Sequence, residues 1–110
     1  MSVMETNKID SMGIDEKNNT LVFLITDHLT WLVEEYKHLK LLQSKLNAYV
    51  AYIESKQYKS IYRNREFDSF RIEILFKYQC TENCEKFLTA GRNQLKSHNI
   101  DVKYQVSKDE

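Results

Sequence analysis

The sequence contains no proline and only two glycines, Gly13 and Gly91. Loops of the G-x-x-x-x-G-K-[ST] and G-x-G-x-x-G types, whose backbone amides cradle phosphates, need more glycine than that, and neither pattern occurs. H-E-x-x-H and G-x-S-x-G are missing as well. Cysteine is limited to Cys80 and Cys84, one loose pair where a structural zinc site needs four patterned ligands. No apolar run approaches the roughly 20 residues that span a bilayer. The opening MSVMETNKIDSM has neither the basic start nor the apolar stretch of a secretory signal. These absences give a set of expectations: no catalytic residues, no cofactor, no metal, no membrane partner, and a cytoplasmic location.

What is present is ordinary for a folded chain. The 110 residues are 42% hydrophobic and 29% charged, enough for a single domain over 1–110 with its core within about 8–107. The net charge is zero but unevenly spread: residues 1–35 carry five more acids than bases, and residues 36–71 five more bases than acids. A chain so polarised either steers a charged partner or neutralises itself on folding.

Periodicity divides the chain into six elements. IDSMGID at 9–15 and TLVFLITD at 20–27 read as strands joined by the polar turn EKNN, a hairpin. The second is apolar on both faces, as expected of a central strand or one at an interface. Apolar residues at three- and four-residue steps predict a helix over about 32–55, with one stripe of Leu32, Tyr36, Leu39, Leu42, Leu46, Tyr49, Val50 and Ile53. A weaker stripe of His38, Leu41, Ala48 and Tyr52, with Lys45 in its row, lies beside it. Residues 56–67 read as a loop, and 70–78 as a strand with Arg71, Glu73 and Lys77 outward. TENCEKFLTAGRNQLKSH at 81–98 predicts a helix capped by Thr81, and IDVKYQVS at 100–107 a last strand. The order β-β-α-β-α-β implies an α+β two-layer sandwich, with both helices on one face of a four-stranded, mostly antiparallel sheet.

Three groups of residues are candidates for chemistry or binding. Asp27, His28, Trp31 and His38 lie close in sequence. Asp27 suits a helix cap and Trp31 burial, while general acid–base work would need the imidazoles within reach of one shared proton. Cys84 falls on the buried stripe of its helix and reads as an inert thiol, although a helix N-terminus can activate Cys80 or Cys84. The segment Lys56–Arg71 interleaves Lys59, Arg63, Arg65 and Arg71 with Tyr58, Tyr62, Phe67 and Phe70. Tyrosine and arginine supply hot spots at protein interfaces, and the same mixture can track phosphates while stacking bases. Tyr58, Tyr62, Arg63 and Arg65 are the expected partner-binding residues, with Glu34 and Glu35 as a patch of opposite sign.

The runs LVFLITDHLTW and HLKLLQSKLNAYVAYIES, carrying Asp27, Trp31, His38, Leu42, Gln43, Lys45, Leu46, Asn47, Tyr49, Ile53, Glu54 and Ser55, resemble a family of small bacterial domains of unknown function. The likeness extends over most of the chain. This sequence departs from the pattern in having Lys56 where a glycine is expected, which leaves the helix end less sharply capped. The resemblance implies a fold and no activity. By size and class alone, such domains resemble the immunity proteins that accompany contact-delivered or secreted toxins.

The expected function is therefore a non-catalytic protein-binding protein, an immunity protein that neutralises a cognate protein toxin by direct binding. The alternative is a nucleic-acid-binding module using residues 56–71. Self-association as a homodimer, through Val22 and Leu24 or the second helix stripe, is compatible with either.

Overall fold

A computed structural model describes residues 9, 11–29, 31, 35–63 and 65–107. The hairpin forms as its sequence implies: β1 (Ser11–Asp15) pairs antiparallel with β2 (Thr20–Asp27). Its turn uses Asn19 in the left-handed region, φ 49°, where asparagine is tolerated. The Asn18 side-chain amide donates to Asp15 at 2.9 Å, and that bond holds the Asp15 carboxyl below its usual range.

Beyond the hairpin come α1 (Glu35–Glu54), a 3-10 turn (Gln57–Ser60), β3 (Ser69–Phe76), α2 (Glu82–Leu95), a second 3-10 turn (Lys96–His98) and β4 (Ile100–Val106). The sheet order is β1-β2-β3-β4. The expectation of a mostly antiparallel sheet is corrected here. β2 with β3, and β3 with β4, are parallel, and the β1–β2 hairpin is the antiparallel pair. The reason lies in the connections: each contains a helix that carries the chain back along the sheet, so the next strand starts from the same end.

Both helices cover one face, as crossovers of a common hand require. Leu21, Phe23, Ile25, Ile72, Ile74, Phe76, Ile100 and Val102 point into a single core that also takes in Leu42, Tyr49, Ile53, Cys84 and Leu88 from the helices. Tyr49 packs edge-on against Phe23, and its hydroxyl donates to the Leu24 carbonyl at 2.9 Å. The opposite face carries Val22, Leu24, Arg71, Glu73, Leu75, Asp101, Lys103 and Gln105 and has no described element over it.

The buried face of α1 keeps the expected Leu42, Leu46, Tyr49 and Ile53, with Leu39 and Val50 packed against the core, but takes in His38 and Lys45 in place of Tyr36. His38, Leu42, Lys45, Leu46, Tyr49 and Ile53 are buried, whereas Tyr36 is 74% exposed; Leu32 lies outside the described residues. Two polar residues of the weaker stripe thus outrank an aromatic of the stronger one, because each has an interior partner. His38 meets Asp27, and the Lys45 ammonium sits 5.4 Å over the Tyr49 ring. α2 starts as expected, the Thr81 hydroxyl accepting the Cys84 N–H at 3.1 Å. It gives way to a 3-10 turn three residues before its expected end.

Lys56 closes α1 in the left-handed region, φ 62°, where glycine is unstrained and lysine is not. Lys56→Gly should raise the unfolding free energy by about 0.5–1 kcal/mol, the relieved strain exceeding the extra chain entropy that glycine loses. A lower urea midpoint for the variant would show that the lysine side chain offsets its backbone.

Candidate functional site

Asp27 ends β2 inside the protein, 2% exposed. Its carboxylate accepts the Leu29 N–H at 3.1 Å and faces His38 Nε2, which stands 2.6 and 2.8 Å from the two oxygens. A carboxylate only accepts, so Nε2 carries the ring hydrogen. Trp31 lies flat on the imidazole, centroids 3.6 Å apart and planes 17° apart, and meets Phe76 on the sheet. The expected cap role of Asp27 becomes a turn-and-clamp role: it holds Leu29 locally and reaches eleven residues on to fix α1. His28 is exposed and separate from this group. Trp31 Nε1 has no hydrogen-bond partner among the described residues.

Cys80 and Cys84 are buried, free thiols beside the same junction, close enough to hydrogen-bond to each other. Burial pushes both thiols up, Cys84 much the further, and the Asp27 and Glu85 charges add to the rise. A nucleophilic or metal-binding cysteine needs the opposite shift. No group of three or more His, Cys, Asp or Glu among the described residues could hold a metal ion.

The segment after α1 is split between core and surface. Tyr58 is 5% exposed and packs against Phe67 and Phe70, with Tyr62 edge-on to Phe67. Tyr58 is therefore an anchor beneath the surface, not a side chain standing on it, and the rings of Phe67 and Phe70 face other rings. Arg65 is half-buried, bonded to Asn19 at 3.1 Å and paired with Glu16 at 3.0 Å. Lys59 pairs with Glu66 at 3.0 Å. Arg63 is exposed and has no partner among the described residues. The residue that sequence reasoning passed over is Ile61, 57% exposed at the tip. An apolar residue one place from a buried-side Tyr62 and two from Arg63 was the signal for it.

The other proposed patch is divided as well. Glu34 lies outside the described residues, and Glu35, half-buried at the start of α1, takes the Asn83 amide at 3.2 Å. Hydrogen bonds from Thr81 and Asn83 hold its carboxyl below the usual range, tying the two helix beginnings together. The uneven charge partly cancels within the fold: Arg65 meets Glu16, and Arg71 meets Asp15 at 3.4 Å as well as Glu73 at 2.8 Å.

A recess of about 740 Å³ opens where β2, β3 and β4 begin, lined by Asn18, Thr20, Ser69, Arg71, Arg92 and Lys96 among others. Its guanidinium groups are matched, Arg71 as above and Arg92 by Asp101 at 3.3 Å. The lining mixes these polar side chains with the apolar Phe70 and Ile100.

These features define a small mixed α+β protein with a packed interior, one sheet face left uncovered by the described residues, and an exposed turn after α1. The model of a family of unknown function, DUF6572, matches residues 1–108, and the chain belongs to that family. No curated protein and no solved structure matches it. No helix of the described residues is long and apolar enough to cross a membrane.

Proposed function

We propose that this protein is a non-catalytic binding protein, cytoplasmic in its action, that neutralises a cognate protein toxin by covering it. One observation carries the reading: Ile61, 57% exposed, projects beside Arg63 from a turn whose root is fixed in the core by Tyr58. The Ile61 and Tyr62 N–H groups both donate to the Tyr58 carbonyl, at 3.0 and 2.9 Å, so the tip is held before any partner arrives. Preorganisation of this kind lowers the entropy lost on binding. An apolar anchor next to an exposed guanidinium fits a partner with a shallow apolar pocket rimmed by carboxylates.

Co-expression with the product of the neighbouring reading frame tests this. The neighbour's toxicity should be relieved by the wild type, and the two proteins should co-purify. Ile61→Asp/Arg63→Glu should weaken the complex by about 30-fold or more while leaving the circular dichroism spectrum unchanged. A neighbour that is harmless and does not bind, or full protection by the double variant, would refute the proposal. Single-stranded nucleic acid retained at low salt and released steeply as salt rises would favour the nucleic-acid reading instead.

A further inference from the structure

Among the described residues β4 is an edge strand, and its backbone hydrogen bonds show which of its groups face away from β3. The Asn99 carbonyl accepts the Phe70 N–H at 2.9 Å, and the Ser107 N–H donates to the Phe76 carbonyl at 2.7 Å. In a parallel ladder, alternate residues bond to the neighbour, so odd-numbered positions of β4 face β3. The N–H and C=O groups of Ile100, Val102, Tyr104 and Val106 therefore point out from the sheet. Such a row is a template for another strand. Beside it, on the helix face, runs a groove of about 290 Å³ lined by Leu88, Thr89, Arg92, Val102, Lys103 and Tyr104. Tyr104, at its margin, is 40% exposed.

We propose that β4 pairs antiparallel with β4 of a second copy about a two-fold axis at Val102, joining the two sheets into one of eight strands. The charges select both the occupant and the register. Outward-facing residues must oppose outward-facing residues, so the axis falls on an integral position of the strand. Placed at Lys103, it sets that lysine against its own copy. Placed at Val102, it sets Asp101 against Lys103 twice, as non-hydrogen-bonded pairs whose side chains approach most closely. Ile100 then faces Tyr104 of the second copy, and the exposed phenol ring of each copy lies against the groove of the other. Arg92, which reaches Asp101 at 3.3 Å, forms a half-exposed pair that yields at little cost.

The test is sedimentation of the full chain over a range of concentrations. The wild type should reach a dimer. Asp101→Lys and Lys103→Asp should each weaken self-association by about tenfold, because each turns both attractive pairs into repulsive ones. An equimolar mixture of the two variants should restore the dimer, since lysines then face aspartates at both pairs. A wild type that stays monomeric up to its solubility limit overturns the proposal. So does a dimer that neither charge reversal weakens, which would place the contact on another surface. Failure here leaves the toxin-binding reading untouched, because Ile61 and Arg63 are not part of this edge.

Discussion

Replacing His38 with alanine should lower the unfolding free energy by about 3–5 kcal/mol, most of the loss coming from a carboxylate left buried without its partner. Asp27 would keep the Leu29 N–H at 3.1 Å but lose the imidazole that now stands against both of its oxygens. Trp31 would lose the ring it lies on. For a domain of ordinary stability that is a large share of the total. Asp27→Leu/His38→Leu should cost less than His38→Ala alone, because it removes both polar partners together and restores bulk. Urea denaturation of the three proteins decides the point. A single variant as stable as the wild type would mean that the pair contributes nothing to holding α1 on the sheet.

Tyr58→Ala should cost a further distinct amount, about 3–5 kcal/mol, as expected for deleting a buried aromatic side chain. The ring supports Phe67 and Phe70, and the Tyr58 carbonyl fixes the turn that carries Ile61. Tyr58→Phe should retain both the stability and the binding of the wild type. If Tyr58→Ala instead kept its urea midpoint and lost only the partner, the residue would be a surface hot spot and the packing described above would be wrong.

Much of this architecture could be read from the residues, and the exceptions have identifiable causes. Alternation placed Ile72, Ile74 and Phe76 on the core side of β3, with Arg71 and Glu73 opposite, because a half-covered strand has a strict period. Strand direction was less legible. A helix between two strands is compatible with either packing until its length and route are known, and here both helical connections return the chain to the same end. On α1 most of the apolar stripe is buried as its spacing implies, but Tyr36 lies outside and His38 and Lys45 lie inside. Hydropathy cannot register that Asp27 and Tyr49 wait in the interior for those two polar groups. The segment after α1 shows its mixture of basic and aromatic residues in the sequence. Which aromatics turn inward was hidden, because residues 56–67 have no fixed period and their contacts with Phe67 and Phe70 are tertiary. The edge of β4 left no mark in composition at all. It follows from the pairing order and from the parity of backbone hydrogen bonds.

The junction of Asp27, His38, Trp31 and the two thiols is buried and serves to hold the shape of the molecule. Labelling of Cys80 and Cys84 by a small neutral thiol reagent, followed under native conditions and in urea, probes that junction directly. Both thiols should react about a thousandfold or more slowly in the native protein than in the unfolded chain, at rates that follow global unfolding as urea is added. Prompt modification of either thiol in the folded protein, insensitive to low urea, would contradict it and mark the junction as an accessible site.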